Sequence, residues 1–157
     1  MLDIRIIVIS SMLFATNSWA LEDTLEKSLE IAAHGNKFQA ERIKIAAENL
    51  ANANSTSSLP GGNPYRRKII IGHNIYDKKL NTRLVKVKKY ANDKKPFKLK
   101  YDPYHPAADA NGYIKLPNID KHIENADAME AQRNAEAALN IIEIPKSMQQ
   151  KTLEVMK

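Results

Sequence analysis

The chain has no cysteine, one tryptophan and only 6% aromatic residues. The first absence excludes disulfides, thiolate metal sites and a cysteine nucleophile. Histidine is also scarce, and the four present, at positions 34, 73, 105 and 122, lie so far apart in sequence that only folding could gather them. Long apolar runs are missing as well. The longest, from Ile6 to Ala15, is about half of what a helix needs to cross a hydrocarbon core. From Leu21 to Ala53 there is no proline and a single glycine, Gly35, so nothing in that stretch interrupts a helix.

What is present suits one compact domain or a helical stem with a modest insertion: 157 residues, 43% of them hydrophobic. The net charge of +6 is unevenly placed. Residues 66–100 hold thirteen Lys/Arg against Asp77 and Asp93, which leaves −5 for the remainder. This polarity fits nucleic acid, an anionic surface, or head-to-tail packing between subunits whose basic middle faces an acidic helical neighbour.

The start, "MLDIRIIVISSMLFATNSWA", follows its apolar run with Ser18 and Ala20 at the small-residue spacing of a signal-peptidase site, so cleavage after Ala20 is expected. Beyond it, Leu25, Leu29, Ala32, Asn36, Ala40, Ile43, Ala47 and Leu50 recur at steps of three and four and predict a long amphipathic helix. Its stripe is rich in alanine and buries little area per residue, so the helix needs a partner. The partner is expected from about Ile119 to Met156, where Ile141, Ile144, Met148, Thr152 and Val155 keep a similar spacing. Pro145 is expected to kink or break it. Between the helices, "YRRKIIIG", "TRLVKVKKY" and "FKLKYD" read as antiparallel strands. "DANGYIKLPN" adds a tight turn at Asn111-Gly112 and a brief strand ending at Pro117. The expected class is α+β: long terminal helices pairing as a coiled-coil-like stem around a small antiparallel β-rich centre. Its segments are 1–20 (signal-like), 21–55 (N-terminal helix), 56–118 (β-rich) and 119–157 (C-terminal helix).

No catalytic constellation emerges. Ser57-Ser58 fits its loop, and "LPGGNP" lacks the spacing and the Lys-Ser/Thr of a phosphate loop. Lys146-Ser147, Glu22-Asp23 and Asp127/Glu130 read as helix-surface groups. His122 and Glu124, two apart, fall on different faces of a helix and make a poor metal pair. Tyrosines interleave with the basic middle as in nucleic-acid binders, yet alternating Lys and apolar residues equally describe a strand with one wet face. No cofactor, metal, small-molecule substrate or nucleic acid is expected.

Motifs then add what composition cannot. "AAENLANANS", "GGNPYRRK", "KLKYDPYHPAADANGYIKLPNI", "MEAQR" and "KSMQQKTLEV", in this order, resemble the FlgC-type flagellar basal-body rod proteins over about residues 25–157. The resemblance implies a non-enzymatic axial subunit of the proximal rod, with terminal helices packed into a tube and the centre facing outward. Implied partners are copies of itself, other rod proteins, the ring at the rod base and the export apparatus. Its signature falls on Asn49, Leu50, Asn52, Asn54, Tyr65, Arg66, Gly112, Tyr113, Pro117 and Asn118. The apolar stripes add Leu29, Ile43, Ile141, Met148 and Leu153 as assembly positions. The asparagines could meet neighbouring chains or cap their own helix, and both readings stay open. Three features depart from the family pattern: the extra twenty residues, the small or acidic Ala135, Glu136 and Ala138 after the Arg, and Glu143 with Pro145 in a stretch that is usually uninterrupted helix. The alternative function is a periplasmic adaptor on the same scaffold that does not polymerise.

Overall fold

The computed structural model describes the backbone of residues 4–155 and the side chains of residues 24–144. Helix α1 runs over Ile4–Ala51 and helix α2 over Lys121–Val155. Between them lie β1 (Lys68–Asp77), β2 (Thr82–Asn92), β3 (Lys98–Tyr101) and β4 (Tyr113–Leu116). The strands form two separate antiparallel ribbons, β1–β2 and β3–β4. Among the described residues, no helix is long and apolar enough to cross a membrane.

The α+β expectation holds, with differences in detail. α1 is one continuous helix over Ile4–Ala51. α2 is helical on both sides of Pro145, so the helix is not broken there. The missing donor there removes one bond of the helical ladder, and the turns on both sides carry the helix across. The buried stripe of α1 also differs from the expected one. Of the expected positions Ala32 is buried but Ala40 and Ala47 are exposed, while Ile45, Ala46 and Asn49, outside the expected stripe, are buried. The helix faces inward through 42, 45, 46 and 49, a stripe hidden from hydropathy because Arg42 and Asn49 belong to it.

α1 is the middle layer. It packs on α2 on one side and on the β1–β2 hairpin on another, and hairpin and α2 do not touch. The helices are antiparallel, since Asn49 meets Glu124 while Arg42 meets Asp127 and Glu130 further along α2. Ala131, fully buried, and Ala46 allow the close approach.

The hairpin lies against α1 through a specific notch. A Cβ on Gly72 would come within 2.8 Å of the Phe38 ring, so only glycine lets the strand approach so closely. The register shifts between Ile71 and Gly72, a bulge that bends the ribbon at this contact. Leu84 is buried, and the Tyr90 hydroxyl donates to Glu41 of α1 at 3.0 Å.

In β3–β4, Tyr101 pairs with Tyr113, their rings edge to face at 5.2 Å. The turn before β4 is built by Asp109, whose Oδ1 accepts from the backbone N–H of Asn111 and of Tyr113, both at 2.9 Å. Gly112 sits at φ +80°, as the sequence expectation of a tight turn required.

Candidate assembly node

The end of α1, the strand entry, the 93–95 turn and the start of α2 converge on one buried polar cluster. Asn49 is at its centre and has no solvent exposure. Its Nδ2 donates to the Lys68 carbonyl and to Glu124 Oε2, each at 2.9 Å. Its Oδ1 accepts from the Lys68 N–H at 2.9 Å and the Tyr65 hydroxyl at 3.1 Å. Two donors and two acceptor sites are all an amide offers, so Asn49 is saturated by its own chain.

Glu124 is 1% exposed, and Arg67 Nε donates to its Oε1 at 2.5 Å. A buried carboxylate is tolerated only when paired and hydrogen-bonded, and Arg67 and Asn49 together supply both conditions. Glu124 also lies in the first turn of α2, where the helix dipole favours an anion. Asp120 caps that helix by accepting from the His122 N–H at 2.9 Å, and this bond holds its carboxyl below the usual carboxylate range.

Arg67 reaches Asp93 at 3.5 Å, and its backbone N–H donates to Asn118 Oδ1 at 2.9 Å. The Asp93 carboxyl is also held low, first by the Lys95 N–H, against a smaller opposing effect of burial, and then by Arg67. Asn118 Nδ2 donates to the carbonyls of Asp93 and Lys95 at 3.3 and 3.2 Å. Arg66 donates to the same two carbonyls at 3.0 and 2.9 Å while stacking 4.0 Å from the Phe97 ring centre. At the edge, Lys68 pairs with Glu48 at 2.9 Å and lowers the Glu48 pKa. Burial raises that of Tyr65.

Of the sequence-selected residues, Asn49, Tyr65, Arg66, Pro117 and Asn118 thus belong to one locality. Asn52 sits beside it and caps its own helix, Nδ2 donating to the Glu48 carbonyl at 2.8 Å. Asn54 is exposed on the loop that follows. Gly112 and Tyr113 lie apart, on the second ribbon. Leu29, Ile43 and Leu50 are half-buried along α1, and Ile141 is exposed on α2. The side chains of Met148 and Leu153 lie outside the described residues.

Sequence reasoning missed Arg67, Glu124, Asp93, Arg42 and Asp127. Their charges read as surface. A usable signal existed in the spacing Glu124, Asp127, Ala131, which places both carboxylates on one helical face with a small residue that allows close approach. Arg42 binds Asp127 and Glu130 across the helix pair, a second tie beyond the node.

A cleft of about 350 Å³ opens beside the node, lined by Arg67, Lys95, Lys98 and Asp120 among others. Among the described residues no group of three or more His, Asp or Glu is placed to hold a metal. The cluster's chemistry is structural: its charged groups face one another rather than a common vacant point.

No protein-family model matches the chain. Individual relatives do. It is 40% identical to a flagellar basal-body rod protein FlgC of Agrobacterium fabrum, over 86% of this chain and 97% of that one. It is 40% identical to the FlgC of Salmonella typhimurium, covering 79% of this chain and 92% of the relative. The FlgC of Borreliella burgdorferi is 37% identical, with 85% and 98% covered. At such identity over nearly the whole length of its relatives, the chain belongs to the FlgC family of flagellar basal-body rod proteins, a structural subunit of the periplasmic rod and not an enzyme.

Proposed function

We propose that the subunit polymerises through its terminal helices, paired as a coiled-coil-like stem, to form part of the proximal rod that carries torque across the periplasm. Its contacts are copies of itself, other rod proteins and the ring at the rod base, and it reaches them through the export apparatus. The observation supporting this is the set of apolar residues along α2, Ile123, Met129, Leu139, Ile141 and Ile144, that are 44–63% exposed. A monomer gains nothing from exposing them, and neighbouring helices would cover them. Leu29, Ile43 and Leu50 on α1, with Ile141, Met148 and Leu153 on α2, supply the apolar contacts of this seam. Asn49, Tyr65, Arg66, Pro117 and Asn118 act indirectly by fixing the angle between stem and β unit. Residues 21–55 and 119–157 are the stem and 56–118 the outward unit.

The test combines two measurements. Leu50→Asp or Ile141→Asp is expected to abolish incorporation into hook-basal bodies while the β ribbons stay folded; undiminished incorporation would remove that residue from the seam. The purified subunit is expected to show less helix by circular dichroism than the assembled rod, because neighbours complete the burial of the stem. Equal helicity in both states would overturn ordering on assembly.

A further inference from the structure

The Asn111-Gly112 pair that turns the chain into β4 carries a reactivity of its own. Asn111 is exposed, and among the described residues its side-chain amide has no hydrogen-bond partner. Its Cγ is an electrophile within reach of the backbone nitrogen of the residue that follows. Glycine, with no Cβ, hinders that nitrogen least and lets the backbone rotate toward the side chain most freely. Nowhere else in the chain does glycine follow asparagine.

The fold ties that nitrogen down. Gly112 is buried, its N–H donates to the Asp109 carbonyl at 3.0 Å, and its carbonyl accepts from the Asp102 N–H at 2.9 Å. The Asp109 N–H donates in turn to the Tyr113 carbonyl at 2.9 Å, while Asp109 Oδ1 holds the N–H groups of Asn111 and Tyr113. Tyr101 and Pro103 close over the glycine, at 2.9 and 3.1 Å from where a Cβ would stand. To reach Asn111 Cγ, the Gly112 nitrogen has to give up Asp109 and leave this packed site. A two-stranded ribbon with no helix or strand against it is the kind of element that opens without the rest of the molecule.

We propose that Asn111 is a self-modification site, held unreactive by the folded β3–β4 turn and released when that turn opens. The Gly112 amide nitrogen loses its proton and bonds to Asn111 Cγ, the Cγ–Nδ2 bond breaks, and ammonia leaves with the proton. Water then opens the resulting cyclic imide at either of its carbonyls, so the balance is ammonia lost and water gained. Opening at the side-chain carbonyl leaves an aspartate on an unchanged backbone. Opening at the main-chain carbonyl leaves an isoaspartate, which routes the chain through the former side chain and lengthens it by a methylene. That extra atom displaces Gly112 and Tyr113 from their bonds to Asp109, so the turn does not re-form. Chains that linger unfolded before assembly are thereby marked, and folded copies are spared.

The test incubates the full-length chain at one mildly alkaline pH, in native buffer and in guanidinium chloride, and maps its peptides by mass spectrometry that separates aspartyl from isoaspartyl products. In denaturant Asn111 is expected to convert faster than any other asparagine. Asn63 is the internal control: Pro64 follows it and offers no N–H to attack, so it is expected to stay intact. In native buffer Asn111 is expected to convert at least about tenfold more slowly than in denaturant. Asp109→Ala removes the carboxylate that builds the turn and is expected to raise the native rate toward the denatured one, with unchanged far-UV circular dichroism. Isoaspartyl chains returned to native buffer are expected to exchange amide hydrogens faster at residues 98–116 and to keep protection in both helices. No conversion in denaturant would overturn the site. Equal rates in the two conditions, or a native rate untouched by Asp109→Ala, would overturn the gate, and full protection of the isoaspartyl ribbon would overturn its effect on the fold.

Discussion

Asn49 and Glu124, 75 residues apart in sequence, share a 2.9 Å hydrogen bond from which solvent is excluded. The bond ties the last turn of one terminal helix to the first turn of the other. Around it the strand entry is also fixed, because the same amide spans both backbone groups of Lys68.

Asn49→Ala removes four hydrogen bonds and strands a buried carboxylate without one of its donors. A loss of about 2–4 kcal/mol in urea denaturation is expected, well above a typical single hydrogen bond. Asn52→Ala, which removes one cap bond to Glu48, is expected to cost about 1 kcal/mol or less. Equal effects at the two positions would show that the node is not the organising contact.

Arg67 and Glu124 are expected to be strongly coupled. Arg67→Met leaves the carboxylate buried without its cation and is expected to destabilise by about 3–5 kcal/mol. Adding Glu124→Gln relieves the stranded charge, so the double variant is expected to be more stable than Arg67→Met alone. A double-mutant cycle with no coupling would contradict the pairing described here.

Gly112→Ala is expected to cost about 1–2 kcal/mol, from the φ of +80° and a Cβ placed 2.9 Å from Tyr101 and 3.1 Å from Pro103. Because β3–β4 packs on no other helix or strand, the damage is expected to stay local. Hydrogen exchange should accelerate at residues 98–116 while the helices keep their protection. Loss of protection in α1 would refute that independence.

Stability is expected to fall under acid. The Asp93 and Asp120 carboxyls are depressed below the ordinary value of 3.8, so the unfolded chain binds their protons more readily. Their contribution is present above that value and is lost as pH drops through the folded pKa. Urea midpoints at pH 7 and pH 3 measure it, and Asp120→Asn should lessen the difference. No dependence in that window would rule out both carboxylates as stabilising groups.

The element order was legible from the chain because its signals are local. Periodic apolar residues marked both helices, alternation marked the strands, and Asn111-Gly112 marked a turn that the structure places at a positive φ. The node was not legible in the same way. Asn49 and Asn118 stood out only through motif resemblance, while Glu124 and Arg67 looked like solvated charges. Their burial depends on contacts between segments more than fifty residues apart, and hydropathy assigns such residues to the surface. Pro145 shows the converse: a residue that commonly ends a helix stands inside one, with helical turns on both sides.

The hairpin beyond Gly72 touches no element but α1, and everything that fixes its base lies at residues 49, 65–68 and 93. Its length is therefore a free variable. One residue added to each strand would extend the arm by about 3.3 Å, and adding two to each would preserve which side chains face the helix. Insertions at the tip are therefore expected to lengthen the arm while leaving its contacts with α1 unchanged.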